Sequence, residues 1–295
     1  MDFNVFVENI VDLLQKRMGD AYEIKATKVT KNNDIELTGV MIMRESDHIS
    51  PTIYLEGLYE EYQNGAAIER LAENMMTFYN EHMPDNDLNL DFFMDFEQVR
   101  DRIFYKLVSY EQNSKLLEKL PHYRWHDLAI IFYYAMEEKK IGRASITIHR
   151  HHLDMWGQSL DCLYRAARKN MKTGLPELLV SMKELLAQTT GIELGKDTYL
   201  PMYVLTNREK TYGAAALLYS EKMKELADQW QSDLLILPSS IHEVLLLPDD
   251  GQNEYDFYRQ MVKEVNTTQV EPEEVLSYSL YRYRREKSEI EEIYT

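Results

Sequence analysis

The hydrophobic pattern begins with a helical period. Phe3, Phe6, Val7, Ile10, Val11, Leu13 and Leu14 recur at helical spacing, which predicts a helix over residues 3–18 with Gly19 as its stop. Two β-patterned runs follow, 21–30 and 35–43. Lys31-Asn32-Asn33-Asp34 joins them, and adjacent asparagines tolerate the positive φ of a hairpin turn. Residues 49–55 read as a short third strand, its start placed at an edge by Pro51. Helices are predicted over 56–63 and 66–83, the second burying Ile68, Leu71, Met75 and Phe78. These elements form an N-terminal α+β unit over residues 1–90.

The acidic, Asn-rich stretch 85–95 marks the expected boundary, and a second α+β unit occupies 91–295. Residues 99–109 mix helix and strand signals. Residues 128–136, L-A-I-I-F-Y-Y-A-M, form a continuous apolar run expected at the centre of a sheet. A turn over 139–142 leads into an alternating strand over 144–149. Helices are predicted over 159–171, capped by Ser159, and over 176–188, with Pro176 in the first turn. A loop over 190–198, a strand over 202–205 and a helix over 214–231 follow. The most distinctive stretch is 233–248, D-L-L-I-L-P-S-S-I-H-E-V-L-L-L-P. Its two apolar runs flank Pro238-Ser239-Ser240 and predict a tight hairpin deep in a sheet. His242 and Glu243 then stand near its end, pointing to opposite faces. Past the turn at 249–251, a helix over 255–265 has Phe257, Met261 and Val265 on one stripe. A last strand is predicted over 275–283, and 284–295 reads as a charged tail, frayed or helical. The fold class is α+β, two units with mostly antiparallel sheets and flanking helices.

Composition narrows the function classes. An apolar fraction of 44% over 295 residues supports folded cores. No stretch approaches the ~20 apolar residues of a membrane span, so no membrane association is expected. The N-terminus, M-D-F-N-V-F-V-E-N, lacks a signal-peptide layout, and the lone cysteine, Cys162, suits a reducing cytoplasm. The formal charge of −17 repels phosphate backbones and argues against general nucleic-acid binding. It fits a well-solvated cytosolic protein or, more sharply, an acidic surface that imitates DNA or seeks a basic partner.

Two constellations hold the residue types of catalysis. In His149-Arg150-His151-His152-Leu153-Asp154, a strand running through His151 places His149 and His151 on one face, as in a two-histidine metal pair. Asp154, His242 or Glu243 is then the candidate third ligand, which defines a metal-assisted hydrolase built on His149, His151, His242 and Glu243. In Ser239-Ser240-Ile241-His242-Glu243, Ser240 and His242 face one way on a strand and are the candidate catalytic pair, with Glu243 beside them. No H-E-x-x-H, paired-cysteine or G-x-S-x-G spacing accompanies either group. Cys162 near a helix start is a candidate nucleophile or a core filler. The scattered glycines form no Walker A or Rossmann fingerprint, and no cofactor is expected. Tyr278, Tyr281 and Tyr283, interleaved with Arg282, Arg284 and Arg285, have the composition of a contact surface.

Several segments resemble a known family. I-S-P-T-I-Y-L-E (49–56), Y-V-L-T-N (203–207), L-I-L-P-S-S-I-H-E-V (235–244), E-V-N-T-T-Q-V (264–270) and E-E-V-L-S (273–277) resemble, in order, an uncharacterised domain-of-unknown-function family of anaerobic Gram-positive gut bacteria. Segment 152–170 is also similar to a second uncharacterised family of small bacterial α+β proteins. The resemblance implies a bacterial, intracellular setting, neighbourhoods of mobile elements and an α+β fold, and it brings no catalytic residues. The resulting expectation is a cytoplasmic interaction or regulatory protein with a protein partner. The metal-assisted hydrolase and an acidic DNA-mimic inhibitor of a nucleic-acid-binding defence protein are the alternatives. One outcome follows from charge alone: random duplex DNA is not bound at physiological salt, because counterion release cannot drive like-charged surfaces together. A mobility-shift titration showing micromolar binding would refute this.

Overall fold

Helix α1 (Phe3–Met18) begins at Asp2, whose side chain accepts the Val5 N–H at 3.0 Å, and stops at Gly19 with φ 79°. The computed structural model describes residues 1–44, 50–83, 91–138, 142–190, 201–249, 251 and 254–293. Of the expected features, the start of the strand at 49–55, most of the boundary stretch 85–95, the turn over 139–141, most of the loop 190–198 and part of the turn at 249–251 lie outside the described residues. The chain divides into two compact units. The first holds Met1–Lys31, Ile35–Met94 and Ala135–Ser145; the second holds Asn32–Asp34, Asp95–Tyr134 and Ile146–Thr295.

In the first unit, strands β1 (Glu23–Thr30) and β2 (Glu36–Met43) pair antiparallel, and β3 (Thr52–Tyr54) pairs with β2. Positive φ falls at Asn33 (60°) and Asp34 (51°), one position later than the paired asparagines suggested. Helices α2 (Glu56–Gln63) and α3 (Ile68–His82) complete a core of Phe6, Ile10, Leu14, Val40, Ile42, Leu55, Leu71 and Met75. The buried stripe of α3 is Leu71, Ala72, Met75 and Tyr79. Phe78, expected inside, is 40% exposed and stacks on His82. The helix is rotated so that Tyr79 enters the core, where its ring meets Tyr22 edge-on.

In the second unit, the mixed signals of 99–109 resolve into α4 (Phe96–Val99), a 3-10 turn over Arg100–Arg102, and strand β4 (Ile103–Ser109). Helix α5 (Ser114–Lys119), β5 (His122–Trp125) and β6 (Leu128–Glu138) follow; β6 beyond Tyr134 and β7 (Gly142–Thr147) up to Ser145 count with the first unit. Strand β6 pairs with β4, β5 and β7 and is buried from Leu128 to Tyr134, as its unbroken apolar run requires. Strand β7 ends at Thr147, before the histidines. Helix α6 (Arg150–Trp156) takes His149 as its N-cap residue. Helix α7 (Leu160–Gly174) is capped by Ser159, which accepts the Cys162 N–H at 3.2 Å. Its buried Asn170 donates to the carbonyls of Arg100 and Ile103 and fixes it against β4.

Two predicted helices give way to tertiary pairing. Residues 177–181 form strand β8 (Glu177–Ser181), with helix α8 (Met182–Thr190) only beyond it. Leu178-Leu179-Val180 joins a ladder with β9 (Tyr203–Asn207). The helix expected over 214–231 is a 3-10 segment, Gly213–Leu218, then α9 (Lys222–Trp230). Gly213 lies so close to β9 that an added Cβ would sit 2.1 Å from Thr206 Oγ1 and 2.5 Å from the His242 carbonyl oxygen. That tight approach, and the capture of the Glu221 N–H by Glu177 at 3.2 Å, separate the two pieces.

Strands β10 (Asp233–Ser240) and β11 (Glu243–Asp249) form the predicted hairpin, turning at Ile241-His242 rather than at the serines. Helix α10 (Tyr255–Thr268) and strands β12 (Leu280–Arg284) and β13 (Glu289–Ile293) follow. Among the described residues the order β13-β12-β10-β11-β9-β8 makes a six-stranded antiparallel sheet with the hairpin at its centre. Pro238 is tolerated there because β12 pairs with β10 only from Leu234 to Ile236. The charged end of the chain, expected to be frayed or helical, contributes β13, and the last long strand starts at Leu280 rather than 275. Helix α10 buries Tyr258, Val262 and Asn266; Phe257 is 58% exposed and Val265 37%. No helix among the described residues is long and apolar enough to cross a membrane.

The hairpin packs Leu235, Leu237 and Leu247 against Tyr258, Val262 and Leu280. Its open end sets Asp233 directly opposite Asp249. Arg282 meets Asp249 at 2.5 Å, Arg284 meets Asp233 at 3.0 Å, and the Tyr255 hydroxyl also bonds Asp249. The Asp249 side chain is fully buried. In urea denaturation, Leu235→Ala should cost about 2–5 kcal/mol and half-buried Leu245→Ala less. Arg282→Met, which takes the guanidinium away from the buried Asp249 carboxylate, should cost about 3–5 kcal/mol, and adding Asp249→Leu should recover most of it. A double variant no more stable than Arg282→Met contradicts this account of the pair.

Candidate functional site

The end of the β10–β11 hairpin gathers the polar residues that the sequence singled out. His242 sits in the two-residue turn. Its Nδ1 accepts the Tyr212 N–H at 3.1 Å, and its Nε2 faces Glu274 Oε1 at 3.3 Å. An accepting Nδ1 leaves the proton of the neutral ring on Nε2, pointed at the carboxylate. The Tyr212 ring stacks on the imidazole at 5.7 Å between centroids, and Lys106 Nζ lies 4.0 Å from the Tyr212 ring centroid. Tyr212 adopts φ 54°, a strained value for an aromatic residue, and the His242 bond helps to hold it. Around it, buried Asn207 donates to the Thr211 carbonyl and Thr206 donates to the His242 carbonyl, both at 2.8 Å. Three segments that carry the family resemblance, 203–207, 235–244 and 273–277, meet here.

This geometry keeps Ser240 and His242 apart chemically. Ser240 Oγ accepts the His242 backbone N–H at 3.0 Å, and both imidazole nitrogens are engaged elsewhere. No ring lone pair is left to take a proton from Ser240. Glu243 opens β11 opposite Ser240. The imidazole is engaged by the Tyr212 N–H and by Glu274, and what it does chemically is orient the backbone at Tyr212.

The three histidines of the 149–154 stretch crowd the start of α6. His149, His151 and His152 have ring centroids 4.1–5.7 Å apart, and His152 Nδ1 accepts the His149 N–H at 3.1 Å. Because the strand stops at Thr147, His149 and His151 do not share a strand face; the latter lies in the first turn of the helix with His152, and Asp154 follows one turn on. Burial pulls His152 down to about 4, and His151 and His149 add like-charge repulsion. Burial lowers His149 too, assisted by His151 and Lys119. Among the described residues no three His, Cys, Asp or Glu side chains are placed to hold a metal ion, so the four residues of the metal-assisted scheme do not form such a group. Cys162 is half-buried within α7.

A cleft that sequence pattern did not mark opens beside α9. It encloses about 710 Å³ and is walled by Trp125, Leu218, Tyr219, Tyr283 and Ile290, with Glu221, Glu225 and Asp228 among its acidic lining. Trp125 is held by stacking on Tyr281, 5.9 Å between centroids, and by His126 edge-on at 4.7 Å. Tyr281 is fixed in turn by its hydroxyl bond to Asp127, which also accepts from Ser277 at 2.6 Å. Burial and Asp127 push the Tyr281 phenol upward, so it remains a neutral donor. Lys172 meets Glu221 at 3.0 Å, and Arg285 meets Asp228 at 2.9 Å. The one sequence signal for this site is the Tyr/Arg-rich run 278–285, although only Tyr283 of its tyrosines lines the cleft.

The model of DUF5688, a family of unknown function, matches residues 3–285. No curated protein and no solved structure matches the chain.

The histidine cluster carries a pH dependence. His152 has a folded value near 4 against an ordinary value of 6.5, so between those limits the unfolded chain binds more protons. The stability that neutral His152 contributes is complete above about pH 6.5 and is lost as pH falls toward 4. His152→Gln keeps an acceptor without the charge. The melting-temperature gap between native protein and variant should therefore shift in the variant's favour from pH 7.5 to 4.5. A gap that is constant, or moves the other way, contradicts the assignment.

Proposed function

The chain belongs to the DUF5688 family, and from its own geometry we propose that it is an interaction protein whose second unit takes a basic segment of a partner protein. The observation that carries this reading is the cleft beside α9, where a preorganised aromatic wall stands next to carboxylates. Aromatic anchors at the centre of a desolvated patch supply binding energy, and acidic neighbours select the sign of the partner. At about 710 Å³ the cleft has the volume of a small-ligand site, enough for one or two side chains of an extended segment rather than a docked helix. The net charge of −17 steers a basic partner toward it over longer range.

The reading is tested by capturing partners from host extract with native protein and with a Glu225→Lys/Asp228→Lys variant. A partner held through a basic segment should be retained by the native chain and lost, at least tenfold, by the charge-reversed one. Equal capture by both would place the interaction elsewhere on the molecule.

A further inference from the structure

The cleft's charges are unevenly spent. Glu221 faces Lys172 and Asp228 faces Arg285, but Glu225, which is exposed, pairs with no cation among the described residues. The cleft lining therefore holds one carboxylate that makes no ion pair among the described residues, beside an indole and two phenols. Lys224, also in the lining, offsets part of the acidic charge and limits how many cations the cleft accepts. This is a seat for one cationic group with a flat apolar surface.

Resting on the interaction reading above, we propose that the cleft is an arginine seat: a guanidinium of the partner lies against Trp125 and pairs with Glu225. A guanidinium is planar, weakly hydrated and forked, so it stacks on an aromatic face while it bonds a carboxylate. An ammonium can sit over a ring, as Lys106 does over Tyr212, but it is a compact, strongly hydrated point charge with no flat face and no fork to share with a carboxylate. The protein itself shows the carboxylate half of this chemistry at the same margin, where Arg285 Nε donates to Asp228 Oδ1 at 2.9 Å. Arg285 thus occupies part of the acidic lining that an incoming arginine would use, and it acts as a resident competitor. Its backbone N–H is held by Asp233 at 2.9 Å, so removing its side chain frees Asp228 without releasing the turn.

The probe is a set of short, otherwise neutral peptides with one central Arg, Lys, citrulline or Glu. Each is titrated by calorimetry at physiological salt into native protein and into Trp125→Ala, Glu225→Gln and Arg285→Ala. Glu225 is exposed, so its variant remains folded even where Trp125→Ala is damaged. The Arg peptide should bind at least tenfold tighter than the Lys peptide, and citrulline and Glu should not bind. Glu225→Gln should lose at least fivefold for Arg, and Arg285→Ala should gain several-fold. If Lys and Arg bind equally, and both weaken in Glu225→Gln, the arginine assignment is overturned while the basic-segment reading stands. If no basic peptide binds, or binding ignores Glu225 and Trp125, the cleft reading fails with it.

Discussion

Asp233 and Asp249 face one another at the open end of the central hairpin, and the large sheet depends on how that repulsion is answered. Like charges directly opposite across a strand pair are destabilising, and one of these carboxylates is fully buried. Strand β12 supplies the answer. Its register sets Arg282 beside Leu235, from where it reaches Asp249, and Arg284 reaches Asp233. Arg284 also meets Glu291 of β13 at 2.8 Å, which ties the edge strand to the same network. A tail rich in charge becomes a strand because its charges have counterparts already fixed in the sheet.

Alternation along β12 links this network to the cleft. Arg282 and Arg284 point to the face where α10 packs and where Tyr255 joins Asp249. Tyr281 and Tyr283 point to the other face, one stacking under Trp125 and the other lining the cleft. One five-residue strand therefore satisfies the buried acid on one side and builds an aromatic wall on the other. The platform of this site is bonded through Tyr281, Asp127 and Ser277. Rigid anchors lose little entropy on binding, and this favours recognition through the cleft.

The sequence by itself determined the local periods. The first helix, the β1–β2 hairpin, the buried run of β6, the cap at Ser159 and the pairing of 233–240 with 243–249 are all legible there, because hydrophobic period and turn chemistry act within a few residues. Tertiary structure decided the rest. Residues 177–181 became a strand because β9 offered a ladder, and the 214–231 helix broke because Gly213 is pressed against β9 and the His242 carbonyl. On α10 the period was right but the buried stripe was one residue off, Tyr258 displacing Phe257, whereas α3 buries Leu71 and Met75 as expected and differs only at its end, where Tyr79 displaces Phe78. The roles of polar residues were the least legible. His242 is distinctive in sequence, yet Tyr212 and Glu274, 30 and 32 positions away, assign both of its nitrogens. Trp125, Tyr219, Glu225 and Tyr283 share a cleft only because strands and helices distant in sequence pack together, and a one-dimensional pattern does not encode that proximity.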